Sequence, residues 1–255
     1  MSTGQHLNVT LRSRKLVLNA AGYNMWEVAE SPASFACSES AILLCDVWDK
    51  HWCRGADERL AKLLPRMNHV VKALRNKGVL VVHAPSDTMQ FYAGTPARQR
   101  VLDALKLEPP ADLPHDDPPL PVHSSDSTCD TDNNTCDTPV AVWSRQHQAI
   151  EIDPNCDAIS DDGTELYNLY RQRRIKNILI MGVHTNICVL GRSFAIKQMV
   201  RWGFNVALVR DLTDTMYNPA TPPYVSHEEG TRLTIEYIEK FWCPTLSSEV
   251  LVKGP

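Results

Sequence analysis

Cys188 is the residue best placed to act as a nucleophile. The run Ile178-Leu179-Ile180-Met181-Gly182-Val183-His184-Thr185-Asn186-Ile187-Cys188 passes from a short apolar strand, through a tight turn, to the start of a segment with helical spacing. A helix N-terminus presents unpaired N–H donors and about half a positive charge, which favours a thiolate over a thiol. A cysteine there can attack a carbonyl carbon near neutral pH. Asp46 follows the apolar run Ala41 to Cys45, and a carboxylate leaving an apolar strand needs a partner. Arg145 follows Val140 to Trp143 and brings a positive charge. Gly182-Val183-His184-Thr185 suits a turn whose N–H groups bind an oxyanion.

Residues so far apart in the chain act together only if the fold gathers them. Apolar segments of strand length recur at Ala41 to Cys45, Val79 to Val82, Val140 to Trp143, Asn177 to Met181 and Asn205 to Val209. Helical spacing lies between most of them. Met67, Val70, Val71 and Leu74 mark one helix, with Pro65 near its start and Gly78 at its end. Leu166, Leu169 and Tyr170 mark another. Val189, Leu190, Phe194, Ile196, Met199 and Val200 mark the helix after Cys188, stopped by Gly203. A last helix runs from about Glu229 to Phe241, and Ser248 to Val252 reads as an edge strand.

This alternation predicts an α/β three-layer sandwich, with a mostly parallel, doubly wound sheet flanked by helices on both faces. Sites in such sheets gather at the carboxyl ends of the strands. Asp46, His83, Ser144 to His147, Gly182 to Cys188 and Asp211 all fall there. Residues 1–36 read as an N-terminal hairpin or arm. Residues 37–255 read as a single domain interrupted by a polar insertion at about 108–139. Within the insertion, the stretch Asp126 to Asp137 reads as a solvated loop, as a loop bridged from Cys129 to Cys136, or as a cation-binding loop.

Composition narrows the partners. The 255 residues, 43% hydrophobic and 22% charged, can build one sizeable core. A net charge of −4 gives no reason to expect nucleic acid or an anionic membrane. No apolar run approaches the roughly 20 residues that span a bilayer. The polar stretch Met1 to Arg14 lacks an apolar signal region, so the chain reads as cytoplasmic unless a leader has been removed. Eight cysteines are too few for a disulfide scaffold; Cys37, Cys45, Cys53, Cys156 and Cys243 read as inert small hydrophobes.

Cys45-Asp46-Val47-Trp48, together with Gly182-Val183-His184-Thr185-Asn186-Ile187-Cys188-Val189, resembles the isochorismatase-like cysteine hydrolase superfamily, which includes nicotinamidases, amidases and isochorismatases. The likeness covers about Ala41 to Thr215. It implies a triad of aspartate, lysine and cysteine, with Asp46 as general base and Cys188 as nucleophile. Where the pattern places lysine, this chain has Trp143-Ser144-Arg145-Gln146-His147, so Arg145 is the nearest match; arginine keeps the charge but cannot give up a proton. The resemblance also implies a non-proline cis peptide before the cysteine, here Val183–His184, orienting the N–H groups of Ile187 or Cys188 toward an oxyanion.

Trp48, His83, Val183, His184 and Ile187 are the expected substrate and oxyanion contacts. Trp52 and Tyr92 are candidates for a flat ligand's pocket, and His147 lies near. Asp211, Thr213 and Asp214 are expected to orient loops. No cofactor is required, although Asp49, His51 and His83 could hold a divalent metal. The expected function is hydrolysis of a small-molecule amide or related C–N bond through an acyl-enzyme, by a homo-oligomer. The alternatives are vinyl-ether hydrolysis of the isochorismatase type, and a non-catalytic binding or assembly module on the same fold.

Overall fold

The computed structural model describes residues 5–124, 129–131 and 141–252. One eight-stranded sheet runs through it, in the order β2-β1-β8-β7-β6-β3-β4-β5. The strands are β1 (His6–Leu18), β2 (Asn24–Ala36), β3 (Ser40–Cys45), β4 (Leu80–Ala84), β5 (Ala158–Ile159), β6 (Asn177–Val183), β7 (Asn205–Asp214) and β8 (Thr245–Leu246). From β5 to β8 every pairing is parallel. The hairpin β1–β2 is antiparallel and joins this sheet through β8.

Alternation along the central strands builds both faces. Ala41, Leu43 and Cys45 of β3, with Ile178 and Ile180 of β6, enter one apolar cluster with helices α3 (Gly163–Arg173), α4 (Cys188–Gly191), α5 (Ile196–Arg201) and α6 (His227–Phe241). Ile42 and Leu44, with Leu179, Met181 and Val183, enter the other with α1 (Arg54–Asn76) and α7 (Glu249–Val252). A short α2 (Pro96–Leu102) lies beside β5. Each fully buried leucine or isoleucine here contributes about 1.5–3 kcal/mol. Among the described residues, no helix is long and apolar enough to cross a membrane.

Several local expectations are corrected. Helix α1 begins at Arg54, so Pro65 sits inside it. The missing N–H of Pro65 is tolerated because Ala56, Leu60 and Leu64 bury the turns before it. The segment 141–144 is not a strand. Its neighbours Ser144 and Arg145 spend their N–H groups on the Asp49 carboxylate instead of a ladder (2.9 and 3.3 Å). Residues 145–147 pair with the loop after β3, through His147 N–H to Val47 O and Asp49 N–H to Arg145 O. The strand beside β4 is the two-residue β5. The helix expected after Cys188 is broken into α4 and α5. The last edge strand is Thr245–Leu246, and 249–252 is helical.

Cys129 bonds to Cys53 rather than to Cys136, with Cα atoms 5.6 Å apart and a sequence separation of 76. Cys136 lies outside the described residues, as does most of Asp126 to Asp137. The bridge fastens 129–131 over the start of α1, and Arg59 of α1 clamps Asp130 from the other side (2.7 and 3.2 Å). Cys53 is therefore not an inert hydrophobe.

The chain leaves β3 for β4 in one direction and β6 for β7 in the other. The crevice beyond the carboxyl ends of β3 and β6 is thus the topological switch point. Gly182 pairs with Cys45 there, at a φ of 131°, and a Cβ at this position would lie 2.0 Å from Cys45 O. Only glycine lets the two strands approach so closely. Replacing Gly182 by alanine is expected to cost about 3 kcal/mol or more, as strain and overpacking add. Urea unfolding measures it, and a loss below about 0.5 kcal/mol would contradict the account.

Candidate active site

Asp46 is the first residue past β3. It takes a left-handed φ of 50°, which a short polar side chain tolerates better than most. Its side chain is fully buried and three groups converge on it. Ser86 N–H donates to Oδ1 (2.8 Å), Arg192 Nε–H donates to Oδ2 (3.1 Å), and the Cys188 thiol lies close enough for the two groups to shift each other's titration. Burial pushes the Asp46 carboxyl upward, while the Arg192 charge and the Ser86 N–H pull it down.

Cys188 opens α4, a helix of a single turn. The expectation that a helix dipole holds its sulfur anionic is corrected by this brevity. Burial, and next the Asp46 charge, push the thiol well above its ordinary range; Arg192 and the His184 N–H only partly offset them. At rest the sulfur carries its proton. A cis peptide joins Val183 to His184, as the resemblance implied. Ile187 N–H is occupied by His184 O (3.1 Å). Among the described residues the Cys188 N–H has no acceptor, which leaves it the donor available to an oxyanion.

A cavity of about 520 Å³ opens over Cys188. Trp48, His51, Trp52, Trp143, His184 and Ile187 form much of its wall, and Arg192 and Asp87 line it as well. Trp48 and Trp143 stack at 4.1 Å, and Trp48 Nε1–H is fixed by Ser86 O (3.0 Å). His51 meets His184 edge-on at 4.8 Å. Burial lowers both rings, His51 to about 4 and His184 to about 3, so both are neutral at physiological pH. His51 Nδ1 accepts from Cys53 N–H (3.0 Å), which leaves its Nε2 to carry the proton.

Other expected site residues lie elsewhere. Arg145 does not contact Asp46: its guanidinium rests over the Phe91 ring at 5.3 Å and 4.0 Å from Asp49. The cation on Asp46 is Arg192, which sequence reasoning missed. Its only signal was its position, four residues after Cys188, one helical turn along. Val183 packs its side chain into the α1-side core. Tyr92 lies behind the wall, its hydroxyl accepting from Gln146 N–H (2.8 Å), and the His147 ring accepts from Ala149 N–H (3.1 Å).

The metal set is also taken apart. Asp49 is occupied by Ser144 and Arg145, and His51 by Cys53. His83 is buried between Asp157 (Nε2, 3.0 Å) and Gln146 (Nδ1, 2.7 Å) and does not line the cavity. Cys53, Cys129 and Asp130 are the one group of potential metal ligands within reach of each other among the described residues, and the disulfide uses both sulfurs.

Asp211, Thr213 and Asp214 secure the rim. Asp211 holds Ser248 (2.7 Å to its N–H), Thr213 holds Gly182 O (2.8 Å), and Asp214 joins Arg59 and His227 (2.9 Å each).

Asp157 anchors the back of the wall. Burial alone would raise its carboxyl, but hydrogen bonds from His83 and Arg75 outweigh that and hold it at about 2. A carboxyl lowered on folding stabilises fully above its ordinary value near 3.9, and this stabilisation fades as pH falls toward about 2. Asp157→Asn is therefore expected to melt lower than the parent at neutral pH, with the gap closing as pH drops below about 4. A gap that stays constant would contradict this.

A family model for the isochorismatase domain matches residues 141–221. No curated protein matches the chain in sequence. Among solved structures it is similar to a cysteine hydrolase from Pseudomonas syringae pv. phaseolicola, at 16% identity and a TM-score of 0.51, over 84% of this chain and 92% of that one. It is likewise similar to an isochorismatase-like protein from Burkholderia xenovorans, at 15% identity and a TM-score of 0.50, over 84% of this chain and 86% of the other. At these identities the likeness is one of fold, and the isochorismatase family model matches one part of the chain, residues 141–221.

Proposed function

We propose that this protein hydrolyses a small-molecule amide or related C–N bond, with Cys188 as nucleophile and Asp46 as proton carrier. The observation that carries this reading is the convergence of Cys188 and Arg192 on the floor of an aromatic cavity, with the buried Asp46 carboxylate paired to Arg192 directly beneath. A thiol that is neutral at rest must lose its proton as it attacks. Asp46 is in place to take it.

The steps balance on these two groups. Sγ bonds to the carbonyl carbon while its proton passes to Asp46, and the Cys188 N–H donates to the oxyanion. Asp46 then gives the proton to the departing nitrogen as the C–N bond breaks, leaving a thioester. Water attacks the thioester, Asp46 takes one of its protons, and that proton returns to sulfur as the acid leaves. This sequence requires no cofactor. His51 and His184 stay neutral throughout; their part is to shape the cavity and hydrogen-bond the substrate.

The case for a non-catalytic module rested on an arginine standing where lysine is expected. That case weakens with Arg192 against Asp46, since the carboxylate has a cation beside it. Vinyl-ether hydrolysis would need the carboxylate but no thiol, which leaves the Cys188 contact without a purpose.

Mass spectrometry after incubation with an electrophilic amide analogue tests the proposal. One adduct at Cys188 is expected, absent in Cys188→Ala, and expulsion of the amine from a cleavable amide is expected to be at least about 100-fold slower in Asp46→Asn. Labelling at another cysteine, or amine release at full speed without Asp46, would overturn it.

A further inference from the structure

We infer that Arg192 takes the place of the superfamily's lysine, acting as a fixed cation that positions Asp46 and keeps it ionised beside Cys188. The inference rests on the hydrolase reading of this site and deepens it. The supporting geometry is local. Arg192 caps α4, one turn beyond Cys188, and its Nε–H reaches the fully buried Asp46 carboxylate at 3.1 Å. Its guanidinium is one-third exposed and lines the cavity, so the charge pair bridges the protein interior and the substrate space.

An arginine here changes the proton inventory of the site. Lysine can lose a proton when buried; a guanidinium does not. Thiol and carboxylate therefore hold one mobile proton between them, and Arg192 sets how readily the carboxylate remains the proton-free partner.

Every charged or titratable group facing this pair enters the balance. Cys45, on the same strand end, is buried and protonated. Asp87 approaches Arg192 Nη2 at 3.9 Å from the loop after β4. His184 lies across the cavity floor from the sulfur, and its ring, like that of His51, is neutral. Arg192 is thus the positive charge closest to the proton-sharing pair among the described residues. Arg145, the match suggested by sequence position, has no part in it.

The test is the pH dependence of Cys188 alkylation by iodoacetamide, read by mass spectrometry on the full chain. Arg192→Gln is expected to move the alkylation midpoint up by at least about one pH unit. Arg192→Lys should restore it and Arg145→Met should leave it unchanged. An unchanged midpoint in Arg192→Gln, no rescue by lysine, or a shift in Arg145→Met would each overturn the inference.

Neutralising a charge beside buried Asp46 can prevent folding, so Asp46→Asn supplies a second measurement. With Arg192 alone facing the sulfur, its midpoint should fall below that of the parent. A rise or no change would contradict the inference. The readout needs no turnover, so these shifts in a chain that forms no acyl adduct would reject the hydrolase reading and keep the Arg192 assignment.

Discussion

The site depends on one arrangement of charge: a carboxylate removed from water at the end of β3, held by a guanidinium on one side and a thiol on the other. A buried carboxylate is stable only when paired and hydrogen-bonded. Asp46 has Arg192 and the Ser86 N–H for that purpose, and Cys188 is set beside it. Each of the three comes from a different segment, and the parallel sheet is what brings them to one edge. Gly182 lets β6 close on β3, the cis turn after Val183 leads to Cys188, and the broken helix turns Arg192 back over Asp46.

The pairing also fits the proposed nucleophilic role to a cysteine whose pKa is raised. A long helix could hold a thiolate by its dipole, but a single turn followed by an extended residue cannot. On the proposed reading the sulfur instead stays protonated until the substrate arrives, with Asp46 nearby as the base. The aromatic wall around it, with two neutral histidines, leaves the Asp46–Arg192 pair as the main electrostatic feature at the floor.

Much of this was legible in the sequence, because the central strands are apolar throughout and end in residues that do not belong in a core. Asp46 and Cys188 stand out for that reason, and strand–helix alternation led to the parallel sheet. What was not legible depended on tertiary pairing. Arg145 follows an apolar run that looks like a strand, but Asp49 captures its backbone and Phe91 its guanidinium. Nothing in a two-residue strand such as Ala158–Ile159 announces itself. Arg192 resembles any basic residue in a last helical turn until the fold sets it on Asp46. The partner of Cys129 lies 76 residues away, a separation at which spacing carries no information.

The most direct test of the central claim is the protonation state of Cys188 in the unliganded protein, read as the ultraviolet thiolate absorbance of the parent minus that of Cys188→Ala. The account predicts no thiolate signal at pH 7, and its appearance only well into the alkaline range. A full thiolate signal at pH 7 would show that the sulfur is already anionic at rest, and a mechanism in which Asp46 collects its proton during attack would be wrong.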